Sequence, residues 1–307
     1  MEPFRLLTRE PYRGRFAPSP TGPLHFGSLV AAVGSYLDAR ANNGEWLVRI
    51  EDVDTSRTVA GAADAILHTL EAFGFEWDGE VMVQSQRIGR YRQALLALQE
   101  AGDVYPCTCS RREIAARQPV TAIDGGFVYP GTCRRGLPAG RHGGAWRLRV
   151  PDRELTFTDG IQGLIRQNLE HEVGDFVLLR SDGLFSYQLA VVVDDAAQGI
   201  TTIVRGVDLL DSTPRQIWLQ QRLGLPTPRH AHLPLATNAT GEKLSKQTRA
   251  SAVDAAGGSE QLAAALRFLG HAVPPALNRE SPSDFWRWAV AAWSLARVPR
   301  LHGIPAP

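Results

Sequence analysis

The chain has 307 residues, enough for one large α/β domain with insertions or for two modest domains. Hydrophobic residues make up 44% and charged residues 21%, as in ordinary soluble proteins, and no apolar run approaches the roughly 20 residues that cross a bilayer. A formal net charge of +1 gives no global sign of nucleic-acid binding, and charges interspersed through MEPFRLLTRE leave no apolar stretch like that of a signal peptide, so a cytoplasmic protein is expected.

Three cysteines occur, Cys107, Cys109 and Cys133, all within one short segment. An odd number argues against a disulfide scaffold and for a reducing compartment. Arginines cluster in the same region, at Arg111, Arg112 and Arg117 and again at Arg134, Arg135, Arg141, Arg147 and Arg149. Such a run reads first as a solvated face and second as an RNA contact.

In chain order, residues 14–17 (GRFA) form a short strand running into PSPTGP, where three prolines and a glycine forbid regular structure. Phe26, Leu29, Val30, Val33 and Leu37 fall at helical spacing, and the helix stops at Asn42, Asn43 and Gly44. Residues 46–50 (WLVRI) make a strand whose end delivers Glu51 and Asp52. Helices are expected from about Val59 to Phe73, before Gly74, and from about Arg87 to Ala101, with Ser85 offered as its cap. Residues 103–150 are rich in loop formers and break the alternation.

The alternation resumes with a strand at 175–180, a turn at 181–183, a helix at 187–195 and a strand at 201–205. Thr213 reads as a helix cap, with Pro214 at the first helical position. A last strand at 232–236 feeds the loop at 240–248. From about Ser259 the chain is helical, with Leu262, Leu266 and Leu269 on one stripe and Phe285, Trp288, Ala292 and Leu295 on another. The C-terminal aromatics Phe285, Trp286, Trp288 and Trp293 read as packing against the body ahead of a base-stacking platform. Strands alternating with helices imply a parallel sheet that binds ligands at the carboxyl ends of its strands.

Two elements carry chemistry. In PSPTGPLHFGS (18–28) a strand turns sharply into a helix whose free N–H groups make an anion site. There His25 offers a donor beside phosphates and Gly27 lets a flat group approach the backbone. In GEKLSKQ (241–247), Lys243 and Lys246 sit on a loop that can close over a triphosphate and offset charge growing in the transition state.

RFAPSPTGPLHFGS and KLSKQ resemble the two defining elements of class I aminoacyl-tRNA synthetases. RIEDVDTSR (49–57), YQLAVVVDD (187–195) and VRGVD (204–208) resemble the glutamyl branch, so that the similarity runs from about residue 13 to about residue 250. Ser28 departs from the family pattern, which has histidine there. Only about sixty residues follow Gln247, where glutamyl-tRNA synthetases carry a large anticodon-binding region. This truncation, with the Cys-x-Cys insertion, is similar to the glutamyl-queuosine tRNA(Asp) synthetases.

The resemblance implies a Rossmann-like parallel-sheet α/β catalytic domain in two halves, 1–102 and 151–250. A zinc-bearing insertion at 103–150 would divide them, and a short helical part at 251–307 would follow. It implies glutamate binding by Arg15 and Arg205 on the side-chain carboxylate and by Glu51 on the ammonium, with Phe16, Ala17 and Pro18 adjacent and Ser19 and Tyr187 supplying hydroxyls. ATP, with Mg²⁺, would bind at His25, Gly27 and Lys246, with His25, Lys243 and Lys246 catalytic. One structural Zn²⁺ would be held by Cys107, Cys109, Cys133 and Tyr129, while chemistry alone offers His142 as the fourth ligand. Queuosine-bearing tRNA(Asp), glutamate and ATP are the implied partners, with no membrane and nothing demanding more than a monomer. Two other readings stay open at this point: a glutamate-activating enzyme with another acceptor, and a non-catalytic RNA-binding paralogue.

Overall fold

The structure is a computed structural model describing residues 11–238, 241–242, 244, 252–254 and 258–307. Its first half builds a parallel sheet. β1 (Arg13–Phe16) pairs with β2 (Glu45–Ile50), crossing over through α1 (Phe26–Ala41). After α2 (Ala62–Ala72), β3 (Met82–Val83) extends the sheet beside β2. The helix α2 starts at Ala62, not Val59, because Gly61 adopts a left-handed φ of 75° that ends the preceding turn. The next helix, α3 (Ile88–Glu100), also starts late, since residues 84–87 form a 3₁₀ turn. Ser85 does not cap it. Its N–H and hydroxyl both donate to Asp52, at 2.7 and 2.6 Å, tying the turn to the end of β2.

The middle segment is antiparallel. β4 (Val104–Cys107), then α4 (Arg111–Arg117) with its Ser110–Glu113 capping box, leads to β5 (Ala145–Leu148), which pairs with β4. The hairpin of β6 (Glu154–Asp159) and β7 (Gly163–Asn168) was not foreseen from the sequence, nor was the short α5 (Leu169–Glu172). β8 (Phe176–Leu179), expected to rejoin the parallel sheet, instead runs antiparallel beside β5.

The chain then returns to the parallel layer. α6 (Tyr187–Ala197) precedes β9 (Thr202–Gly206), whose neighbour Thr201 donates its N–H to the Arg13 carbonyl and accepts the Arg13 N–H on its hydroxyl, both at 2.9 Å. This seats β9 beside β1. After α7 (Thr213–Leu223), β10 (Arg229–Leu233) pairs in parallel with β9. Ser212, not Thr213, precedes the first turn of α7; the Thr213 hydroxyl faces Arg205 instead. The single strand expected at 232–236 is broken at Pro234, which cannot donate to a ladder, and β11 (Leu235–Thr237) continues beyond it. α8 (Gly258–Phe268) and α9 (Pro282–Ala292) follow, and β12 (Gly303–Pro305) pairs with β11.

One core joins α1, the parallel strands, α2, α8 and α9; a second lies under α3, α6 and α7 against β5 and β8. The C-terminal aromatics pack as expected. Phe285, Trp286 and Trp293 are buried, with Trp286 donating to the Phe73 carbonyl and Trp293 to Asp38, each at 3.0 Å.

Candidate active site

Two recesses meet at the carboxyl ends of β1, β2 and β9. The smaller, a cavity of about 130 Å³, is lined by Arg15, Phe16, Ala17, Glu51, Tyr187 and Arg205, with Val204, Gly206 and Leu209. The larger, a cleft of about 740 Å³, shares Phe16, Ala31 and Gly206 with it and runs over the start of α1. Pro18, Ser19, His25 and Gly27 line this cleft, so Pro18 and Ser19 border the small cavity without lining it.

The cavity's charges are interlocked. Asp195 on α6 accepts from Arg15 at 3.1 Å and from Arg49 at 2.8 Å, and Arg49 reaches Glu51 at 3.1 Å. All four side chains are at most 8% exposed. Burial holds the Glu51 carboxyl above its ordinary range despite Arg49 and Arg15, so an arriving cation would stabilise its charged form. Burial likewise lowers the pKa of Arg205. Three guanidiniums against two carboxylates leave one net positive charge, the complement of a ligand with two carboxylates and one ammonium.

Arg205 is held from behind. Its Nε donates to His232 Nε2 at 3.0 Å, and its Nη2 donates to the Leu209 carbonyl at 3.2 Å and the Thr213 hydroxyl at 2.7 Å. Nη1 is left for the cavity, where it meets the Tyr187 hydroxyl at 3.3 Å. His232 in turn bonds Asp159 through Nδ1 at 2.6 Å.

In the cleft, His25 caps α1, its Nδ1 accepting from the Ser28 N–H at 3.3 Å. That leaves Nε2–H as the donor. A Cβ on Gly27 would sit 3.1 Å from the His25 ring, so glycine keeps both the ring and the backbone accessible. Lys243 and Lys246 lie outside the described residues.

The cysteines gather in the antiparallel segment. The thiols of Cys107, Cys109 and Cys133 lie within 4.8 Å of one another, with Cys109 and Cys133 3.6 Å apart. A tetrahedral zinc with bonds of about 2.3 Å would separate its sulfurs by about 3.8 Å, so the cluster fits. The buried Tyr129 hydroxyl lies 3.3 Å from Cys107 and 3.9 Å from Cys109, within reach of the same point. Gly174, at φ 74°, is required here because a Cβ would sit 2.5 Å from the Tyr129 carbonyl oxygen. His142 is exposed and is not part of the cluster.

Residues 12–269 match the family described as class I tRNA synthetases (E and Q), catalytic domain. A glutamyl-Q tRNA(Asp) synthetase of Dechloromonas aromatica is 64% identical over 297 residues, covering 97% of this chain and 99% of the relative. The chain belongs to the glutamyl-Q tRNA(Asp) synthetase family. A second member, from Aromatoleum aromaticum, is 61% identical over 97% of this chain and 93% of its own. Among solved structures, a glutamate tRNA ligase from Elizabethkingia meningosepticum in complex with its amino acid superposes with a TM-score of 0.78 at 25% identity, over 97% of this chain and 67% of that one. The glutamate-tRNA synthetase of Elizabethkingia anophelis gives 0.77 at 26%, over 95% and 67%. Membership in the glutamyl-Q tRNA(Asp) synthetase family makes the chain an ATP-using ligase. No helix among the described residues is long and apolar enough to cross a membrane.

Sequence reasoning missed four members of the site. Arg49 and Asp195 lay inside stretches quoted for their resemblance but pair across a sequence separation of 146. Asp159 and His232 had no signal at all, being 73 residues apart and on strands of different sheets.

Proposed function

We propose that the chain condenses glutamate with ATP to glutamyl-adenylate and pyrophosphate, then transfers the glutamyl group to the queuosine base at the wobble position of tRNA(Asp). The observation carrying this reading is the small cavity of net positive charge that opens onto the cleft at the start of α1. Arg205 Nη1, Tyr187 and Arg15 take the side-chain carboxylate, in the charge-assisted geometry that guanidinium provides. Glu51 takes the ammonium. The α-carboxylate is then left facing the cleft, toward the α-phosphorus.

The reaction asks little covalent chemistry of the protein. It needs the carboxylate and the phosphorus held in line and the growing charge neutralised. The N–H groups at the start of α1, with the Nε2–H of His25, stabilise the phosphates, and Gly27 admits the nucleotide. Lys243 and Lys246 complete the charge stabilisation from their loop, and Mg²⁺ accompanies the triphosphate. A hydroxyl of the modified base then attacks the mixed anhydride and releases AMP.

Zn²⁺ at Cys107, Cys109, Tyr129 and Cys133 would be structural, since a four-ligand set leaves no open position for catalysis. A monomer acting in the cytoplasm suffices for the whole reaction. Glutamate-dependent exchange of labelled pyrophosphate into ATP tests the activation step. Exchange with glutamate but not glutamine or aspartate supports it; indifference to the amino acid contradicts it.

A further inference from the structure

The buried Asp159–His232 pair lies behind the glutamate cavity and touches neither recess. Asp159 Oδ1 accepts three backbone N–H groups, from Ile161 at 3.0 Å, Gln162 at 2.8 Å and His232 at 3.1 Å. These fix the carboxylate so that Oδ2 meets His232 Nδ1 at 2.6 Å. A carboxylate so placed can only accept, so the imidazole hydrogen sits on Nδ1 and the lone pair on Nε2. That lone pair receives Arg205 Nε at 3.0 Å, and the Thr213 hydroxyl lies 3.2 Å from the same nitrogen.

We propose that Asp159 and His232 are positioning residues for amino-acid selection: Asp159 sets the His232 tautomer, and the resulting lone pair aims the Nη1 edge of Arg205 at the substrate's side-chain carboxylate. The proposal rests on the glutamate reading of the cavity. With Nε tied to His232 and Nη2 to Leu209 and Thr213, rotation of the guanidinium would break three hydrogen bonds at once. Arg205 is therefore aimed before the substrate arrives.

The substitution Asp159→Asn isolates this function with almost no change of shape. Three backbone donors demand an oxygen at the Oδ1 position, which turns the amide nitrogen toward His232 Nδ1. The imidazole must then accept there and carry its hydrogen on Nε2, facing the Arg205 N–H donor to donor, with the Thr213 hydroxyl oxygen at 3.2 Å as the acceptor left to it. The guanidinium is displaced, while the cleft over α1 is untouched.

The test joins ¹⁵N NMR of the imidazole to steady-state activation kinetics at neutral pH. In the parent protein the hydrogen is expected on Nδ1. In Asp159→Asn it is expected on Nε2, with KM for glutamate raised about 10- to 100-fold, as for a lost charge-assisted hydrogen bond. KM for ATP and kcat should stay within about threefold. His232→Gln places an amide oxygen where Nε2 stood and has no tautomer to invert, so Asp159→Asn should lose its effect in that background. A parent imidazole with its hydrogen on Nε2 overturns the proposal without recourse to any variant. So does an inverted tautomer with unchanged glutamate KM, provided Arg205→Gln raises that KM. If Arg205→Gln itself leaves glutamate KM unchanged, the glutamate reading of the cavity fails first, and the positioning proposal falls with it.

Discussion

Arg15 on β1 and Asp195 on α6 form an ion pair of 3.1 Å across 180 residues of sequence, both side chains only 3% exposed. Asp195 also holds Arg49, so one carboxylate keeps two guanidiniums from repelling each other beneath the substrate cavity. Asp195→Asn leaves buried Arg15 without its counter-ion and Arg49 with Glu51 alone. Breaking a buried pair typically costs about 3–5 kcal/mol. Chemical denaturation is expected to register a loss in that range, together with a raised KM for glutamate as Arg15 reorients. A loss below about 1 kcal/mol would show that Asp195 does not neutralise the pair.

The cysteine cluster predicts a metal stoichiometry. Protein prepared with zinc present should carry about one Zn²⁺ per chain, and chelation should lower the thermal midpoint, since metal-binding free energy is folding free energy. Cys133→Ser should abolish binding, while Tyr129→Phe, which removes the oxygen ligand and spares all three thiols, should weaken it. Metal analysis that finds no zinc in the parent protein would refute the ligand assignment.

Stability should depend on pH through His232. Burial lowers its pKa from 6.5 to about 4 in the fold, against the pull of Asp159. Between those values the unfolded chain binds a proton that the native protein does not. The stabilisation is therefore fully present above pH 6.5 and is lost as pH falls toward 4, amounting to roughly 3 kcal/mol. Burial also lowers the pKa values of His230 and His271, so they act with the same sign. Urea midpoints measured across this window should fall with acidification, and less steeply in His232→Gln. Parallel slopes would locate the proton uptake elsewhere.

Much of the site could be read along the chain because its residues sit where local rules place them. Glu51 ends a strand, His25 begins a helix, and the Cys107–Cys109 spacing brings two thiols to one point. The parallel half of the fold was legible for the same reason: strand, turn and helix succeed one another within short windows. What could not be read depends on distant partners. Ser85 looked like a cap, yet Asp52 claims its hydroxyl; Thr213 looked like a cap, yet Arg205 claims it. Local preference offered each hydroxyl a role that a charged side chain filled more strongly. The β6–β7 hairpin escaped because GIQG resembles an ordinary loop until Asp159 is seen fastening its turn.

Lys246 is expected to act on the transition state. Lys246→Ala should slow adenylate formation by about 10²–10³-fold, the usual cost of a lost charge-stabilising donor. Single-turnover measurement would check this, and a rate within about threefold of the parent would remove the lysine from the mechanism.

The central claim is the transfer of glutamate to a modified base. The most direct measurement incubates the protein with ATP, labelled glutamate and tRNA drawn either from cells that make queuosine or from cells that cannot. Label confined to queuosine-bearing tRNA(Asp) is the expected result. Equal label on both pools, attached at the 3′ ends, would contradict it and leave a glutamate-activating enzyme with a conventional acceptor.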